Sequence, residues 1–338
     1  MRILHLIPSL GSGGAERQLS ILAPALTKKE VECHVGYCSG GPNLIHFKNT
    51  DVVLHRFDVK GNHDPRLFWK VWELMRDVRP DLVQTWILQM DVVGGLAALL
   101  ARVPFIVSER SAKNNYPAGW KTQLRKTIGH KSRCIIANSV GGVDYWREQS
   151  AELNVRLLRN IIVNRVDGNQ LAPSELLNKV KQSPTILFAG RFSYEKNTAV
   201  MMNAVIMALG AIPSAIALIF GEGDEEPALR HQIAESDLSE RIHFCGYSHD
   251  LLSWMELSDV CISTSTFEGN PNVVLEAAAI GCPLLISDIP AHREIFDENS
   301  VIFADPSSPQ QFASALISML GKKRALALEN ANKAKNIV

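Results

Sequence analysis

No C-x-x-C pair and no His/Cys spacing of the metal-site kind occurs in these 338 residues, although cysteine itself is present six times. Cys33, Cys38, Cys134, Cys245, Cys261 and Cys282 fall mostly in apolar, strand-like runs, the setting of reduced, buried thiols in a cytosolic protein. Net charge is also missing, at zero, which argues against a general nucleic-acid binder. Long hydrophobic runs are absent too. The longest, Val92–Ala101, is interrupted by Gly94 and Gly95 and flanked by Asp91 and Arg102. It is about half of the ~20 residues needed to cross a bilayer. The opening MRILHLIPSLGSGG carries no signal-peptide core. There is no Asp-x-Asp pair, no short internal repeat and no low-complexity tract.

What is present is a steady alternation of short apolar runs with amphipathic stretches. Arg2–Ile7, Val31–Cys38, Val52–Phe57, Leu82–Thr85, Phe105–Val107 and Cys134–Ala137 read as strands, with helices in the intervals. The rhythm lapses over the polar stretch Asn160–Gln182 and restarts at Thr185–Ala189. Strands follow at Ala215–Phe220, Arg241–Phe244, Val260–Ser263, Pro283–Ser287 and Val301–Phe303. Alternation of this kind signals βαβ units and parallel sheets, and the length exceeds one comfortable core. The expected fold is α/β: two doubly wound, Rossmann-like domains, 1–160 and 183–338, joined by a linker 161–182 and facing a central cleft. Ligands of such sheets bind beyond the carboxyl ends of the strands.

Six clusters lie at such ends. Thr264–Ile280 (TSTFEGNPNVVLEAAAI) sets Glu268 and Glu276 eight positions apart across a helix start, with Asn270 as N-cap and Pro271 as first helical residue. The helix is apolar nearly all round, so Glu276 is costly unless paired, and its N-terminus suits an anion. The alternative is a buried structural salt bridge. Gly11-Ser12-Gly13-Gly14 follows the first strand and can cradle a phosphate, but Glu16 replaces the third glycine of a dinucleotide fingerprint. Glu16 and Arg17 are expected to point toward the cleft. AGRFSYEKN places Arg191 and Lys196 at a strand end, where two cations suit a diphosphate or are simply solvated. Phe220-Gly221-Glu222-Gly223-Asp224-Glu225 is a structural turn or a binding loop, and the segment through Tyr247 can face a planar base. Finally, Arg110–Arg133 holds seven Lys or Arg and no acid, with Tyr116 and Trp120 interleaved. It suits an anionic bilayer, RNA, a phosphorylated acceptor or plain solvation.

SGGAER, AGRFSYEKN and FEGNPNVVLEA together, with their Glu-x7-Glu spacing, resemble the family 4 retaining glycosyltransferases of GT-B fold, of the bacterial surface-polysaccharide type. The resemblance runs nearly the full length. It implies a nucleoside-diphosphate sugar, favouring a UDP-sugar, held chiefly by the C-terminal domain and transferred without inversion. It assigns Arg191 and Lys196 to the leaving diphosphate and Glu276 to the ribose hydroxyls. Glu268 with the backbone of Gly269, Asn270, Pro271 and Asn272 would hold donor sugar and phosphate, and Tyr247 would line the base. Gly13 and Gly14 would close on the diphosphate. Glu268, Arg191 and Lys196 are thus the expected catalytic set, and Glu16, Glu109 and Arg110 are acceptor-side. No cofactor and no metal is expected. The expected route is a front-face substitution in which the leaving diphosphate helps deprotonate the acceptor.

Several departures accompany the resemblance. Ser108-Glu109-Arg110 stands where many relatives carry a histidine, and Asn160-Ile161-Ile162 replaces the usual Asn-Gly-Val-Asp turn. The chain ends at Val338, soon after one helix, where the family has a further helix returning to the first domain. The acceptor implied is lipid-linked or a growing saccharide, with no nucleic-acid partner. The protein would be cytoplasmic, touching the inner face of an anionic membrane through the basic aromatic segment. A nucleotide-sugar epimerase or hydrolase of the same fold, and an inactive donor-binding subunit, are the alternatives.

Overall fold

The computed structural model describes residues 1–61, 63–111, 116, 119–162, 174–234, 236–321 and 323–338. Lys113 of the basic segment and half of the expected linker, 163–173, lie outside them. The chain divides into two compact units, Met1–Ile161 and Ile162–Val338.

In the first unit β1 (Arg2–Ser9), β2 (Glu32–Ser39), β3 (Val53–Arg56), β4 (Leu82–Trp86), β5 (Phe105–Glu109), β6 (Cys134–Ala137) and β7 (Val155–Leu157) form one parallel sheet. Its order is β3-β2-β1-β4-β5-β6-β7. The helices are α1 (Gly14–Thr27), α2 (Arg66–Val78), α3 (Ile87–Ala101), α4 (Trp120–Gly129) and α5 (Val140–Arg147). Alternate residues of a strand face opposite sides, so β1 feeds two cores. Leu4 and Leu6 join Val71, Ala97 and Ile128 from α2–α4, while Ile7 meets Leu19 and Ala23 of α1.

The second unit carries α6 (Glu175–Gln182), α7 (Thr198–Ala211), α8 (Glu226–Ala234), α9 (Leu251–Leu257), α10 (Asn272–Ile280), α11 (Pro290–Arg293), α12 (Pro309–Leu320) and α13 (Arg324–Ile337). Its strands are β8 (Thr185–Ala189), β9 (Ile216–Phe220), β10 (Ile242–Gly246), β11 (Val260–Ser263), β12 (Leu284–Ser287) and β13 (Ile302–Ala304). They run in the order β10-β9-β8-β11-β12-β13. Every residue of β8, β9 and β11 is buried, as befits strands covered on both faces.

Three expectations change. The stretch read as linker contains α6, capped by Ser174, whose hydroxyl accepts from the Leu177 amide; Leu177 and Val180 give it a buried face. The chain ends on α13, which packs against α10 and α12 through Ala327, Ala331 and Ala334. The Glu276 helix begins at Asn272, two residues beyond the expected cap, and no side chain caps it. All six cysteines are free, and burial pushes Cys33, Cys38 and Cys245 up to about 11 and Cys261 to about 12.

His5, in the middle of β1, has no exposed surface, and burial drives its imidazole down to about 4, the Gln84 amide offsetting only part. The unfolded chain therefore takes up this proton first as pH falls from the ordinary 6.5. Stability is full above that value and is lost toward pH 4, by about 3 kcal/mol for this group at its limit. Urea unfolding across this range is expected to show that slope in the parent protein and a shallower one in His5→Gln; equal slopes would refute it.

Candidate active site

In each sheet the connections reverse direction at one crevice, between β1 and β4 in the first unit and between β8 and β11 in the second. That is where ligands of open α/β sheets bind. In the second unit the crevice is lined by the Gly190–Asn197 loop and by Thr264–Pro271. Lys196 lies 2.5 Å from Glu268 Oε1, both side chains largely buried, and the Ser265 hydroxyl donates to the same oxygen over 2.7 Å. Burial pushes the Glu268 carboxyl up, but the Lys196 ammonium and the Ser265 hydroxyl outweigh it and hold it below its ordinary value. Thr264 Oγ1 donates to the Lys196 and Asn197 carbonyls (2.9 and 3.2 Å), and the Thr266 amide to Glu195 O (3.0 Å). The cation and the carboxylate are thus set by backbone. Arg191 is exposed, one turn of loop away, and among the described residues its guanidinium meets no carboxylate.

Behind Glu268 runs a layer that the sequence did not single out. The Ser287 hydroxyl donates to Ser265 O (2.6 Å), and His292 Nδ1 donates to Ser287 O (2.7 Å). His292 is fully buried, and desolvation keeps its imidazole below the ordinary value. The run of three hydroxyls at 264–266, just before Glu268, is the one signal in the sequence that could have pointed here.

The Gly221-Glu222-Gly223 turn proves structural. A methyl at Gly221, whose φ is +129°, would stand 1.9 Å from Gly190 O, and one at Gly223 2.3 Å from Phe192 O. The Gly190 amide donates to Phe220 O, Phe192 N to Glu222 O, and Glu225 N to Phe192 O. Glycine is required at 221 for both its angle and the absence of a side chain. These bonds hold the loop that carries Arg191.

Glu276 is buried in the middle of α10, near enough to β11 for its charge to raise the Cys261 thiol. Tyr247 follows β10 at the sheet edge, its ring 5.0 Å from that of His249. It helps line a cavity of about 620 Å³ with Phe220, Cys245 and Trp254.

In the first unit the glycine loop opens α1, with Gly13 as the residue before the helix. Glu16 turns back, 8% exposed, to take a 3.0 Å hydrogen bond from Ser9; its carboxylate covers Gly13, rather than reaching outward as expected. Gly41 packs on Leu10 and Gly11, and Asn43 donates to Gly11 O, a brace that no motif announced.

Glu109 is corrected outright as an acceptor-side residue. It has no exposed surface. One oxygen accepts from Tyr116 OH (2.5 Å) and the Ser111 amide (3.0 Å). The other accepts from Trp146 Nε1 (2.9 Å) and lies 2.9 Å from Arg125 Nη1. Arg125 Nε reaches Asp91 at 2.7 Å, and the guanidinium lies over the Tyr116 and Trp146 rings. Arg125 therefore belongs to the core and leaves the basic segment as a surface. Trp120, 70% exposed, and Lys121 and Lys126 remain at or near it.

Arg110 is different. Half-buried at the end of β5, it lies 4.6 Å over the Trp86 ring, with Nη1 donating to Asn160 Oδ1 (2.8 Å). Burial lowers its pKa to about 10, against the opposing charge of Glu109. Trp86 is followed by Ile87 at φ +71°, a left-handed angle that is costly for a β-branched residue.

Residues 12–162 match the family described as Glycosyltransferase Family 4, and residues 183–322 that described as Glycosyl transferases group 1. One relative is the N-acetylgalactosamine-N,N'-diacetylbacillosaminyl-diphospho-undecaprenol 4-alpha-N-acetylgalactosaminyltransferase of Campylobacter jejuni. It is 24% identical over 312 residues, covering 87% of this chain and 82% of that one. Another is the UDP-Gal:alpha-D-GlcNAc-diphosphoundecaprenol alpha-1,3-galactosyltransferase of Escherichia coli, 23% identical over 243 residues, 67% and 62% of the two. Among solved structures, Anabaena Alr3699/HepE with UDP and glucose superposes with a TM-score of 0.85 at 20% identity, over 100% of this chain and 94% of that one. The fold is GT-B.

Proposed function

The chain belongs to the glycosyltransferases of family 4 and group 1, and from that membership we propose that it moves a sugar from a UDP-sugar to a diphospholipid-linked acceptor, with retention. The reading places the reaction in bacterial surface-glycan synthesis. The observation that carries it is the Lys196–Glu268 pair at the mouth of α10, in the crevice between the carboxyl ends of β8 and β11.

In this reading the donor diphosphate lies over that crevice. Lys196, Arg191 and the N-terminus of α10 supply positive charge where negative charge develops on the departing group, which lowers the barrier without reorganisation. Glu268 orients Lys196 in the empty site and takes sugar hydroxyls in the filled one. Glu276 takes the ribose hydroxyls, and the base rests toward Tyr247. Neighbouring strands lie about 4.8 Å apart, so β10 and the β8–β11 crevice are separated by roughly 10–14 Å. An extended nucleoside diphosphate spans a gap of that order. The acceptor hydroxyl attacks from the face the diphosphate leaves, and a diphosphate oxygen receives its proton. We assign the transfer no metal, because side chains and helix terminus already supply the charge.

The relatives act on diphospho-undecaprenol substrates, which favours a lipid-linked acceptor here and a protein working at an anionic membrane surface through Trp120, Lys121 and Lys126. One assay tests the set. Purified protein, a panel of UDP-sugars and a diphospholipid acceptor in anionic vesicles are combined in excess EDTA. The product anomer is read by NMR, and the protein in the vesicle pellet is measured. Retention, turnover undiminished by EDTA and co-sedimentation are expected. An inverted product, loss of turnover with the chelator, or donor consumption without acceptor would each overturn the corresponding part.

A further inference from the structure

The first unit holds two arginines of opposite character. Arg125 has no exposed surface and is matched by Asp91 and Glu109, as a structural arginine should be. Arg110, one residue beyond β5, is half-buried with no carboxylate within pairing distance among the described residues. An amide oxygen takes Nη1 and an indole covers one face, while Nε is buried with no partner. With Nη1 engaged and Nε shut away, Nη2 has no partner among the described residues and is the nitrogen left to offer a phosphate oxygen a charge-assisted hydrogen bond. It stands beside the β1–β4 crevice, next to the backbone that turns through Ile87 at φ +71° to leave Trp86 beneath it. An unfavourable angle held in place beside a ligand crevice is what a pre-organised site requires.

We infer that Arg110 is a phosphate-binding residue of the first unit, meeting the diphosphate of a lipid-linked acceptor with the Nη2 end of the guanidinium that Asn160 leaves free. Trp86 and Asn160 position it, and the requirement for a charged linker in the acceptor follows from it. The identification of the acceptor rests on the function proposed above; the subsite does not.

The test compares Arg110→Gln and Arg110→Lys with the parent. Initial rates are taken with a diphospholipid acceptor and with a neutral alkyl glycoside carrying the same sugar, and the donor is titrated in each case. Arg110→Gln is expected to raise the KM for the diphospholipid roughly 10- to 100-fold, the worth of a hydrogen bond to a charged group. The KM values for the glycoside and the donor should move far less. Arg110→Lys should recover part of the loss by restoring the charge without the fork. An equal rise with both acceptors would make Arg110 merely structural. A rise confined to the donor would give the group to the donor's diphosphate instead, and either result overturns the inference. Should the parent use no diphospholipid at all, the function falls but the subsite is still tested by calorimetric titration with inorganic pyrophosphate. Binding at least tenfold weaker in Arg110→Gln supports it, and equal binding refutes it.

Discussion

Replacing Lys196 by alanine is expected to lower kcat by roughly 10²–10³-fold, the usual effect of removing one preorganised group from the place where charge develops. On the proposed placement of the donor, its affinity should fall less, because Arg191 and the start of α10 remain. The change should be visible in single-turnover rates, with thermal stability nearly unaltered, since among the described residues the ammonium meets Glu268 alone and the Ser265 hydroxyl still serves that carboxylate. Lys196→Arg is expected to rescue poorly. The short contact with Glu268 leaves no room for a planar fork, and Thr264 holds the backbone on which the side chain sits. A loss below tenfold would mean that Lys196 is a surface partner of Glu268 and nothing more.

Arg125→Met should be worse for the protein than for the reaction. It strands Asp91 and Glu109 in a region with no exposed surface, where loss of one partner of a buried ion pair costs about 3–5 kcal/mol. Whole domains are commonly stable by only about 5–15 kcal/mol, so a large share of the first unit's stability is at stake. Urea unfolding followed by tryptophan fluorescence should report it, since Trp146 touches both Glu109 and Arg125. An unfolding midpoint within error of the parent's would show that water reaches the two carboxylates.

The strands were legible because parallel strands covered on both faces are continuous apolar runs, as TILFA and IALIF are. Strand β7, three residues long with two of them exposed, offers no such run, and α6 hides in a polar stretch until its apolar positions 177 and 180 are set on one face. Arg191, Lys196 and Glu268 were singled out because they follow strand ends, where ligands of such sheets bind, and all three do lie beside the β8–β11 crevice.

The reading of Glu109 as acceptor-side neglected parity. Phe105 and Val107 point into the core, so Glu109 follows them inward while Arg110 goes the other way. The reading of Arg125 as surface charge neglected the helical period, which sets it in line with buried Thr122 and Ile128. That Lys196 already pairs with Glu268 lies beyond any local pattern, because their 72-residue separation is bridged only when β8 and β11 become neighbours.

The seam between the Gly190 and Gly221 turns carries a lesson for anyone redesigning this enzyme. With the Gly190 carbonyl oxygen against the α-carbon of Gly221 and no space there for one added methyl, the Gly221 turn cannot be decorated without moving its neighbour. On the proposed function, libraries aimed at new sugar specificity are better spent on the Ser265–Asn270 rim. Variation at 221 or 223 will mostly return misfolded clones.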